Sequence, residues 1–408
     1  MANHNHHVPA PLGGSLITPV TVLLTLLGLA ALAVLFVRFT QGLGAVTNLN
    51  DGYPWGIWIA YDVVIGSALA CGGYTMALLV YIFNRGEYHP LVRPALMASL
   101  FGYTLAGISV IFDLGRWWNF WHIFAPGYAQ PNSVMFEVAL CISAYIVVMW
   151  LEFSPAFFEK WGMKDAKKKL NRALFFLIAL GVLLPSMHQS SLGSLLVVFG
   201  YQIHPLWQSL LLPLIYLMTA VLLGFAVVIF EATLAALSLR RPLETHILAP
   251  LSRIMAGLLA AYLAVRVGDL AVRGALGSAF SATVQALMFW LEMLAFAAPL
   301  VLLAGEKSRA NPGRLFGSAV LLVLGGFLLR INSYLVGYMT GPGWHYFPSF
   351  PELLVTVGII AFEILAYIVF VKKLPVLPAP DGGLQPDLRA TGSRSLMGGV
   401  ENVQTYHH

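Results

Sequence analysis

His188 lies in the segment PSMHQSSLGS, inside a long apolar stretch, and its neighbours Gln189 and Ser190 are also polar. Together these side chains can donate and accept hydrogen bonds, and a histidine can also transfer a proton near neutral pH. Pro185 lies three residues before His188 and has no amide hydrogen, so one helical hydrogen bond is missing there. A helix broken in this way can present polar side chains to a ligand. The alternative is a histidine that is simply hydrogen-bonded within a packed core.

Four further ionisable residues lie in or beside apolar stretches and could converge on the same site as His188. They are Asp62, Asp113, Arg116 and Glu137. Asp113 and Arg116 are three residues apart, so one helix face could hold both and let them neutralise each other. A structural ion pair that holds helices together is an equally good interpretation of that spacing.

A second set of ionisable residues occurs in the C-terminal half of the apolar region: Arg266, Asp269, Glu292, Arg330 and Glu363. A proton path or a structural salt-bridge network could use them, and structural support is favoured because no histidine accompanies the set. Glu152 and Glu231 lie near the predicted cytoplasmic ends of their segments, where they could admit protons or simply contact water.

These side chains must be positioned by membrane helices. Of the 408 residues, 59% are hydrophobic and only 10% are charged, against about 25% charged in a soluble domain. The apolar runs are continuous rather than alternating, which excludes a β-barrel and predicts an all-α polytopic membrane protein. Cys71 and Cys141 lie within apolar runs, so neither a disulfide framework nor a cysteine-ligated iron–sulfur cluster is expected in this chain.

About ten transmembrane helices are predicted from the apolar windows. They cover residues 16–39, 55–83, 91–115, 132–158, 171–198, 206–237, 247–272, 282–304, 314–337 and 351–371. Residues 1–15 form the predicted N-terminal segment, residues 16–373 the transmembrane domain, and residues 374–408 a disordered tail.

The Lys and Arg residues give the orientation. Of the 23 in the chain, 18 fall in the even-numbered loops and the C-terminal tail, and three fall on the other side. The positive-inside rule therefore places both termini in the cytoplasm. The net charge of +5 is a topology signal, and no nucleic-acid partner is expected.

The histidines argue against a haem. Only His188 of the eleven lies clearly within a predicted span, whereas a transmembrane b-type haem needs axial ligands on facing helices. The chain also lacks the Cys and His spacing of a metal site.

Several segments resemble the NrfD/polysulfide-reductase family of quinone-interacting membrane subunits. They include GYPWGIWIAYD from Gly52, FDLGRWWN from Phe112, NSVMFE from Asn132, LEFSPA from Leu151 and PSMHQSSLGS from Pro185. The sequence is most similar to the so-called cytochrome b subunits of periplasmic nickel–iron hydrogenases, over about residues 12 to 378.

This resemblance implies two four-helix bundles, at about residues 55–198 and 206–337, flanked by helices 16–39 and 351–371. It also implies a menaquinone or ubiquinone pocket in the outer half of the first bundle, without haem, in a bacterial inner membrane. Electrons would come from a periplasmic ferredoxin-like iron–sulfur subunit, which receives them from the hydrogenase small and large subunits. Whether protons are also translocated is left open.

Quinone reduction needs hydrogen-bond donors and proton-relay acids in an apolar pocket. The expected roles are contact with a quinone oxygen for His188, positioning for Gln189 and Ser190, and proton delivery for Asp62 or Glu137. Asp113 and Arg116 would tune the electrostatic potential. Trp55, Trp58 and Trp117 could line the entrance, although a membrane-interface position is the simpler interpretation.

Three alternatives stay open from the sequence. A secondary transporter or ion channel would also explain charges at membrane depth and a proline-broken helix. A passive anchor for an extrinsic enzyme would use the buried charges only for assembly. A quinone-reactive subunit of another iron–sulfur oxidoreductase would share the site but not the hydrogenase partners.

Overall fold

The computed structural model describes residues 9–238 and 243–377, and within these ranges ten helical segments are long and apolar enough to cross a membrane. In chain order they are α1 (Pro19–Gln41), α2 (Trp58–Ile82), α3 (Gly86–Asp113), α4 (Val134–Trp161), α5 (Lys164–Gln202), α6 (Leu212–Ser238), α7 (Thr245–Val272), α8 (Val284–Leu302), α9 (Pro312–Val336) and α10 (Phe350–Lys373). This confirms the all-α polytopic architecture and a multi-pass membrane protein. Residues 1–8 of the predicted N-terminal segment and residues 378–408 of the predicted tail lie outside the described ranges.

Polar caps mark where several of these apolar helices begin. Thr18 and Ser349 each form a capping box, and a proline follows each cap at the start of the helix. Asn311 caps α9 with its side-chain oxygen, which accepts from the amide of Arg314, and Pro312 follows it. Because the first amide groups of a helix have no partner within it, these caps fix the helix starts at defined residues.

Two groups of four helices are packed side by side. Helices α2, α3, α4 and α5 contact one another in a ring, as do α6, α7, α8 and α9. The groups meet where α6 packs against α2 and α5, and where α9 packs against α2. Helices α1 and α10 form a pair that packs through α10 against α2 and α3.

The pairing of α1 with α10 depends on small residues. A Cβ atom added to Gly358 would lie 2.1 Å from the Cβ of Ala31, and one added to Gly28 would lie 3.1 Å from the ring of Phe362. Close backbone approach of this kind is the usual basis of helix association in a membrane. At the far end of α1 the buried Arg38 donates hydrogen bonds to the carbonyls of Phe112 and Leu114.

The two ends of the described chain meet at one face of the helices, called here the termini face. The amide of Ala10 donates to the carbonyl of Leu377 at 3.1 Å. Leu374, Val376 and Leu377 are buried in a hydrophobic cluster. Residues 374–377 are therefore packed, although the sequence predicted that the disordered tail begins at Leu374. Their apolar side chains pack into this cluster without forming a helix, and a hydropathy window long enough to find a membrane helix does not detect such a short segment.

Helix α2 is irregular along its length. It is π-helical over Trp58–Ile65 and Leu78–Ile82, and a turn at Ala70 and Cys71 separates two short α-helical pieces. The amide of Gly73 donates to the hydroxyl of Ser99 at 2.7 Å. Such departures from regular helix are frequent at functional sites.

Candidate functional site

The central feature of the molecule is a buried polar cluster between α2 and α5. His188 is 1% exposed, and its Nε2 lies 3.0 Å from the hydroxyl of Ser67. The amide nitrogen of Gln189 donates to the same hydroxyl at 3.2 Å. His188 lies about 16 Å along α5 from Phe199, which places it deep within the span. Its Nδ1 has no hydrogen-bond partner among the described residues.

Helix α5 is continuous from Lys164 to Phe199, with Pro185 inside it. The helix is therefore not broken at Pro185, contrary to the sequence prediction. Beside this proline, the hydroxyl of Ser186 donates to the carbonyl of Val182 at 2.7 Å. A neighbouring hydroxyl that bonds to the backbone is one way in which a membrane helix tolerates proline. His188 thus faces the cluster through the normal periodicity of the helix.

The cluster extends across the boundary between the two helix groups. Arg330 on α9 donates from Nη2 to the side-chain oxygen of Gln189 at 3.3 Å. Its Nη1 donates to Thr219 at 3.4 Å and to the carbonyl of Gly326 at 3.3 Å. The guanidinium is fully buried, lies 5.1 Å from the ring centroid of Tyr216, and forms no ion pair with a described carboxylate.

Tyr103 on α3 closes the other side of the cluster. Its ring packs edge-on against the His188 ring, with the ring centroids 5.9 Å apart. The Cys71 thiol lies 3.5 Å from the Tyr103 hydroxyl. The ring of Tyr145 packs edge-on against Tyr103 with centroids 4.7 Å apart. The polar groups are therefore enclosed by aromatic and small side chains that exclude water.

Asp62 lies on α2, five residues before Ser67, but its side chain does not share the hydrogen bonds of His188. It is 3% exposed and accepts a hydrogen bond from Thr356 on α10 at 3.2 Å, while its other oxygen has no partner among the described residues. The nearest charges that act on it include Asp113. The predicted convergence of Asp62 and His188 is not supported by a direct contact, because their side chains bond to different helices.

The predicted contact between Asp113 and Arg116 is not formed. Helix α3 ends at Asp113, so the chain leaves the helix before Arg116, which is exposed. Arg38 on α1 is instead the cation that acts on Asp113. The i to i+3 spacing assumed a helix that continues one turn further than it does.

Glu137 and Ser190 are both half-buried and take no part in the hydrogen bonds of the His188 cluster. Glu137 lies in the first turn of α4, and the carbonyl of Ser190 accepts from the hydroxyl of Ser194 at 3.2 Å. Within the described ranges, Gln189 is thus the only predicted neighbour of His188 that shares its hydrogen bonds.

Trp55 and Trp58 are buried and bond to backbone carbonyls, Trp55 to Tyr334 at 2.7 Å and Trp58 to Glu352 at 3.1 Å. Trp117 is half-buried against Phe39. The first two are therefore buried within the protein at the start of α2, where they fix helix packing.

Three of the five residues in the second predicted set, Arg266, Glu292 and Asp269, belong to two separate ion pairs. Arg266 and Glu292 form a fully buried pair at 3.4 Å. Glu292 also accepts hydrogen bonds from Trp207 at 2.8 Å and from Asn332 at 2.9 Å. A carboxylate with this many donors is held in place, which favours the structural interpretation for this pair.

Asp269 pairs with Arg273 rather than with Arg266. The Arg273 guanidinium donates to Asp269 at 2.7 and 3.0 Å, and Ser209 donates to the other oxygen of Asp269 at 2.8 Å. A third contact, from Arg273 to the carbonyl of Pro205 at 2.9 Å, ties the loop before α6 to the end of α7.

Glu363 and Glu231 lie along the seam between α10 and the two groups of helices. Glu363 approaches Gly102 so closely that a Cβ atom there would lie 3.1 Å from its oxygen. Glu363 interacts electrostatically with Glu231 on α6, and Tyr61 interacts with both Glu363 and Asp62. Glu231 also lines a groove at the termini face with Glu244. Glu152 faces Gly181 on α5, apart from this seam.

The residues present do not fit a b-type haem with two axial histidines. His188 is the only histidine that is buried among the described residues, and its Nε2 is bonded to Ser67. The next nearest candidates, His122 and His204, are half-buried beyond the helix ends. The absence of a haem from this chain remains a prediction.

Sequence reasoning missed Ser67, Tyr103 and Arg38 altogether, and it placed Arg330 in a separate set. A hydroxyl or a tyrosine in an apolar helix gives little signal by itself. Only contacts between side chains of different helices show that Ser67, Tyr103 and Arg330 share one cluster with His188.

The sequence matches the family described as "Polysulphide reductase, NrfD" over residues 45–341. It is 47% identical over 375 residues to the "Probable Ni/Fe-hydrogenase 2 b-type cytochrome subunit" of Escherichia coli (strain K12), covering 91% of this chain and 96% of that protein. It is 25% identical over 377 residues to the "Menaquinone reductase, integral membrane subunit" of Nitratidesulfovibrio vulgaris, covering 83% and 86% of the two chains. An archaeal relative, the "Hdr-like menaquinol oxidoreductase integral membrane subunit" of Archaeoglobus fulgidus, is 23% identical over 361 residues, covering 82% and 87%.

These relatives are membrane subunits of oxidoreductases according to their names, and the first of them matches this chain over nearly its full length. The family match spans most of the ten-helix region, including all the residues of the His188 cluster. The chain therefore belongs to the NrfD family of integral membrane proteins.

Proposed function

We propose that this chain is the quinone-reducing membrane subunit of a respiratory nickel–iron hydrogenase, and that the quinone headgroup binds beside His188. The observation that carries the proposal is the unpartnered Nδ1 of a fully buried histidine, in a polar cluster where Nε of Arg330 also lacks a hydrogen-bond partner. A buried nitrogen without a partner is unfavourable unless a ligand or water meets it. The menaquinone-linked names of two relatives support a quinone as that ligand.

The chemistry of the cluster suits this reaction. A quinone carbonyl gains negative charge as electrons arrive, and both oxygens must finally bind protons. His188 would hydrogen-bond one oxygen, while the buried Arg330 guanidinium, which forms no ion pair with a described carboxylate, would stabilise the added negative charge. Burial strengthens that effect because little water is present to screen the charge.

The partners follow from the relatives and from the distribution of positive charge. Hydrogenase subunits would oxidise H2 and pass electrons through an iron–sulfur subunit docked on the face opposite the termini. The excess of Lys and Arg in the loops of the termini face supports a cytoplasmic position for both termini in a bacterial inner membrane. The iron–sulfur partner would then lie in the periplasm.

The test is H2-dependent quinone reduction by the complex purified in mild detergent. We expect the His188→Ala variant to lose this activity while the complex still reduces an artificial dye with H2, because the dye takes electrons before they reach this subunit. The Met187→Ala variant is the matched control, since Met187 is the preceding residue of α5 and is 38% exposed. Full quinone turnover by the assembled His188→Ala complex would refute the site.

The same preparation separates this function from its alternatives. Co-purification of hydrogenase subunits would support the partner, whereas other iron–sulfur subunits would transfer the proposal to another oxidoreductase. A chain that purifies alone and carries substrate across proteoliposomes would favour a transporter.

A second function, proton transfer across part of the membrane, is favoured by the seam of acids along α10. Asp62 lies about one helical turn from the face opposite the termini face. Glu363 lies about 15 Å from the end of α10 at the termini face, and Glu231 lies about 10 Å from the end of α6 at that same face. Helix α10 connects these depths, because its Thr356 donates to Asp62, it carries Glu363, and its Tyr367 lines the same groove as Glu231. The groove beside Glu231 opens at the termini face.

We propose that this seam supplies protons from the termini face during quinone reduction. In proteoliposomes, H2-driven quinone reduction by the wild-type complex should then acidify or alkalinise the lumen according to orientation. Glu363→Gln should lower that pH change per quinone reduced, and Glu306→Gln, an exposed residue in a short helix between α8 and α9, should leave it unchanged. An unaltered ratio of protons to quinone in the assembled Glu363→Gln complex would refute the path.

A further inference from the structure

The hydrogen bonds of the His188 cluster form a chain that begins at a cation. A guanidinium can only donate, so the contact from Arg330 fixes the side-chain oxygen of Gln189 toward α9. The amide nitrogen of Gln189 must then point the other way. It donates to the hydroxyl of Ser67 at 3.2 Å.

The donor and acceptor roles in the next hydrogen bond are set by Ser67. Because Gln189 donates to this hydroxyl, the oxygen of Ser67 is an acceptor in that bond. The only other side-chain partner of the hydroxyl among the described residues is Nε2 of His188, at 3.0 Å. If Nε2 carried a proton, it would donate to Ser67 as well, and the hydroxyl hydrogen would be left without an acceptor in a buried site. The Ser67 hydroxyl therefore keeps an acceptor for its hydrogen only when it donates to Nε2.

A positively charged His188 is disfavoured for the same reason and for a second one. Both of its nitrogens would then donate, which again leaves the Ser67 hydrogen unpaired. The cluster already contains the buried charge of Arg330, and a second cation nearby would be repelled in a medium that screens charge poorly. No carboxylate of the described residues bonds to any member of the cluster.

We infer that Arg330, acting through Gln189 and Ser67, holds His188 as the neutral tautomer with its proton on Nδ1. Arg330 is therefore a positioning residue for the site, although it lies on α9, in the other group of helices. The unpartnered Nδ1 then faces its ligand as a hydrogen-bond donor. This inference rests on the proposed function only for the identity of that ligand, since a quinone carbonyl oxygen is an acceptor that such a donor would meet.

The tautomer can be measured without any turnover. The full chain is labelled with ¹⁵N-histidine, reconstituted in lipid bilayers, and compared by solid-state NMR with the His188→Asn variant, so that the difference identifies His188 among the eleven histidines. A protonated Nδ1 and an unprotonated Nε2 are expected near neutral pH. A protonated Nε2, or two protonated nitrogens, would overturn the inference.

Two variants test the chain of hydrogen bonds. Ser67→Ala removes the donor to Nε2, and Arg330→Met frees Gln189 to rotate, so each should convert part of the signal to the Nε2–H tautomer. Arg266→Met is the matched control, since Arg266 is another buried arginine and bonds to Glu292 instead. If both test variants retain the wild-type tautomer in full, Arg330 does not position His188. If neither variant folds, the wild-type spectrum still decides the tautomer.

The result is separable from the proposed function. Inactivity of His188→Ala with a protonated Nε2 in the wild type would retain the quinone site and reject the tautomer. Full quinone turnover by His188→Ala with a protonated Nδ1 would do the reverse.

Discussion

The ion pair between Arg266 and Glu292 offers a sharp test of whether the second group of helices stabilises the protein or conducts protons. Both side chains are fully buried, and their charged atoms are 3.4 Å apart. With an effective dielectric constant of about 20, two unit charges at this distance attract each other by about 5 kcal/mol. Removing one partner of a buried pair typically destabilises a protein by about 3–5 kcal/mol, because the other charge is left without compensation.

The variant Glu292→Gln removes the charge and keeps nearly the same shape. Its side-chain oxygen can still accept from Trp207 or Asn332, which donate to Glu292 at 2.8 and 2.9 Å. We therefore expect the loss of stability to come mainly from the isolated Arg266, and to be about 3–5 kcal/mol. The double variant Arg266→Met with Glu292→Gln should recover part of the loss, since it leaves no unpaired charge.

The assay is equilibrium unfolding of the purified protein in detergent, together with quinone turnover per assembled complex. Asp269→Asn is the control, because its partner Arg273 is 25% exposed and the pair is therefore partly screened by solvent. Its loss should be nearer to about 1 kcal/mol. A Glu292→Gln protein with wild-type stability and greatly reduced turnover would show that Glu292 transfers protons and would refute the structural interpretation.

Three further predictions concern haem, helix packing and pH. The purified complex should show no b-type haem bands that depend on this chain, and such bands disappearing in His188→Ala would prove the ligand reasoning wrong. Gly358→Ala should destabilise the protein by about 1–3 kcal/mol, because its Cβ would lie 2.1 Å from Ala31; Gly317→Ala, with nothing within 4 Å, is the control in the same thermal unfolding measurement. Burial and a hydrogen bond to Glu352 raise the pKa of Tyr346, so the folded state should lose stability as the pH rises above the ordinary tyrosine pKa of about 10. Tyr346→Phe should weaken that dependence, and an unchanged alkaline pH profile of the unfolding temperature would contradict it.

The helices were predictable from the sequence because lipid demands continuous apolar segments. All ten predicted spans correspond to helices of the structure, with ends that differ by a few residues. The differences matter at Asp113, where a span drawn to residue 115 kept Arg116 on the same helix. Hydropathy does not show at which residue the backbone leaves the helix.

The candidate site was only partly predictable for a related reason. Gln189 follows His188 in the chain, so its presence in the cluster could be expected from PSMHQSS. Ser67 and Arg330 lie 121 and 142 positions away from His188 and reach it only through helix packing. Hydropathy shows that an arginine is buried, but it does not show which group of helices its side chain serves.

The pairing of α1 with α10 has a consequence for how the chain is made. Helix α1 leaves the ribosome first, yet its packing partner is complete only at Lys373, about 330 residues later. At synthesis rates of about 5–20 residues per second, α1 waits roughly 20 to 60 seconds for that partner. During this time Gly28 and Gly358 are not in contact with their final neighbours, and Arg38 cannot reach the carbonyls at the end of α3 until that helix has followed. The first helix inserted is thus among the last to reach its final packing, which makes α1 the part of the molecule most dependent on the assembly of the rest.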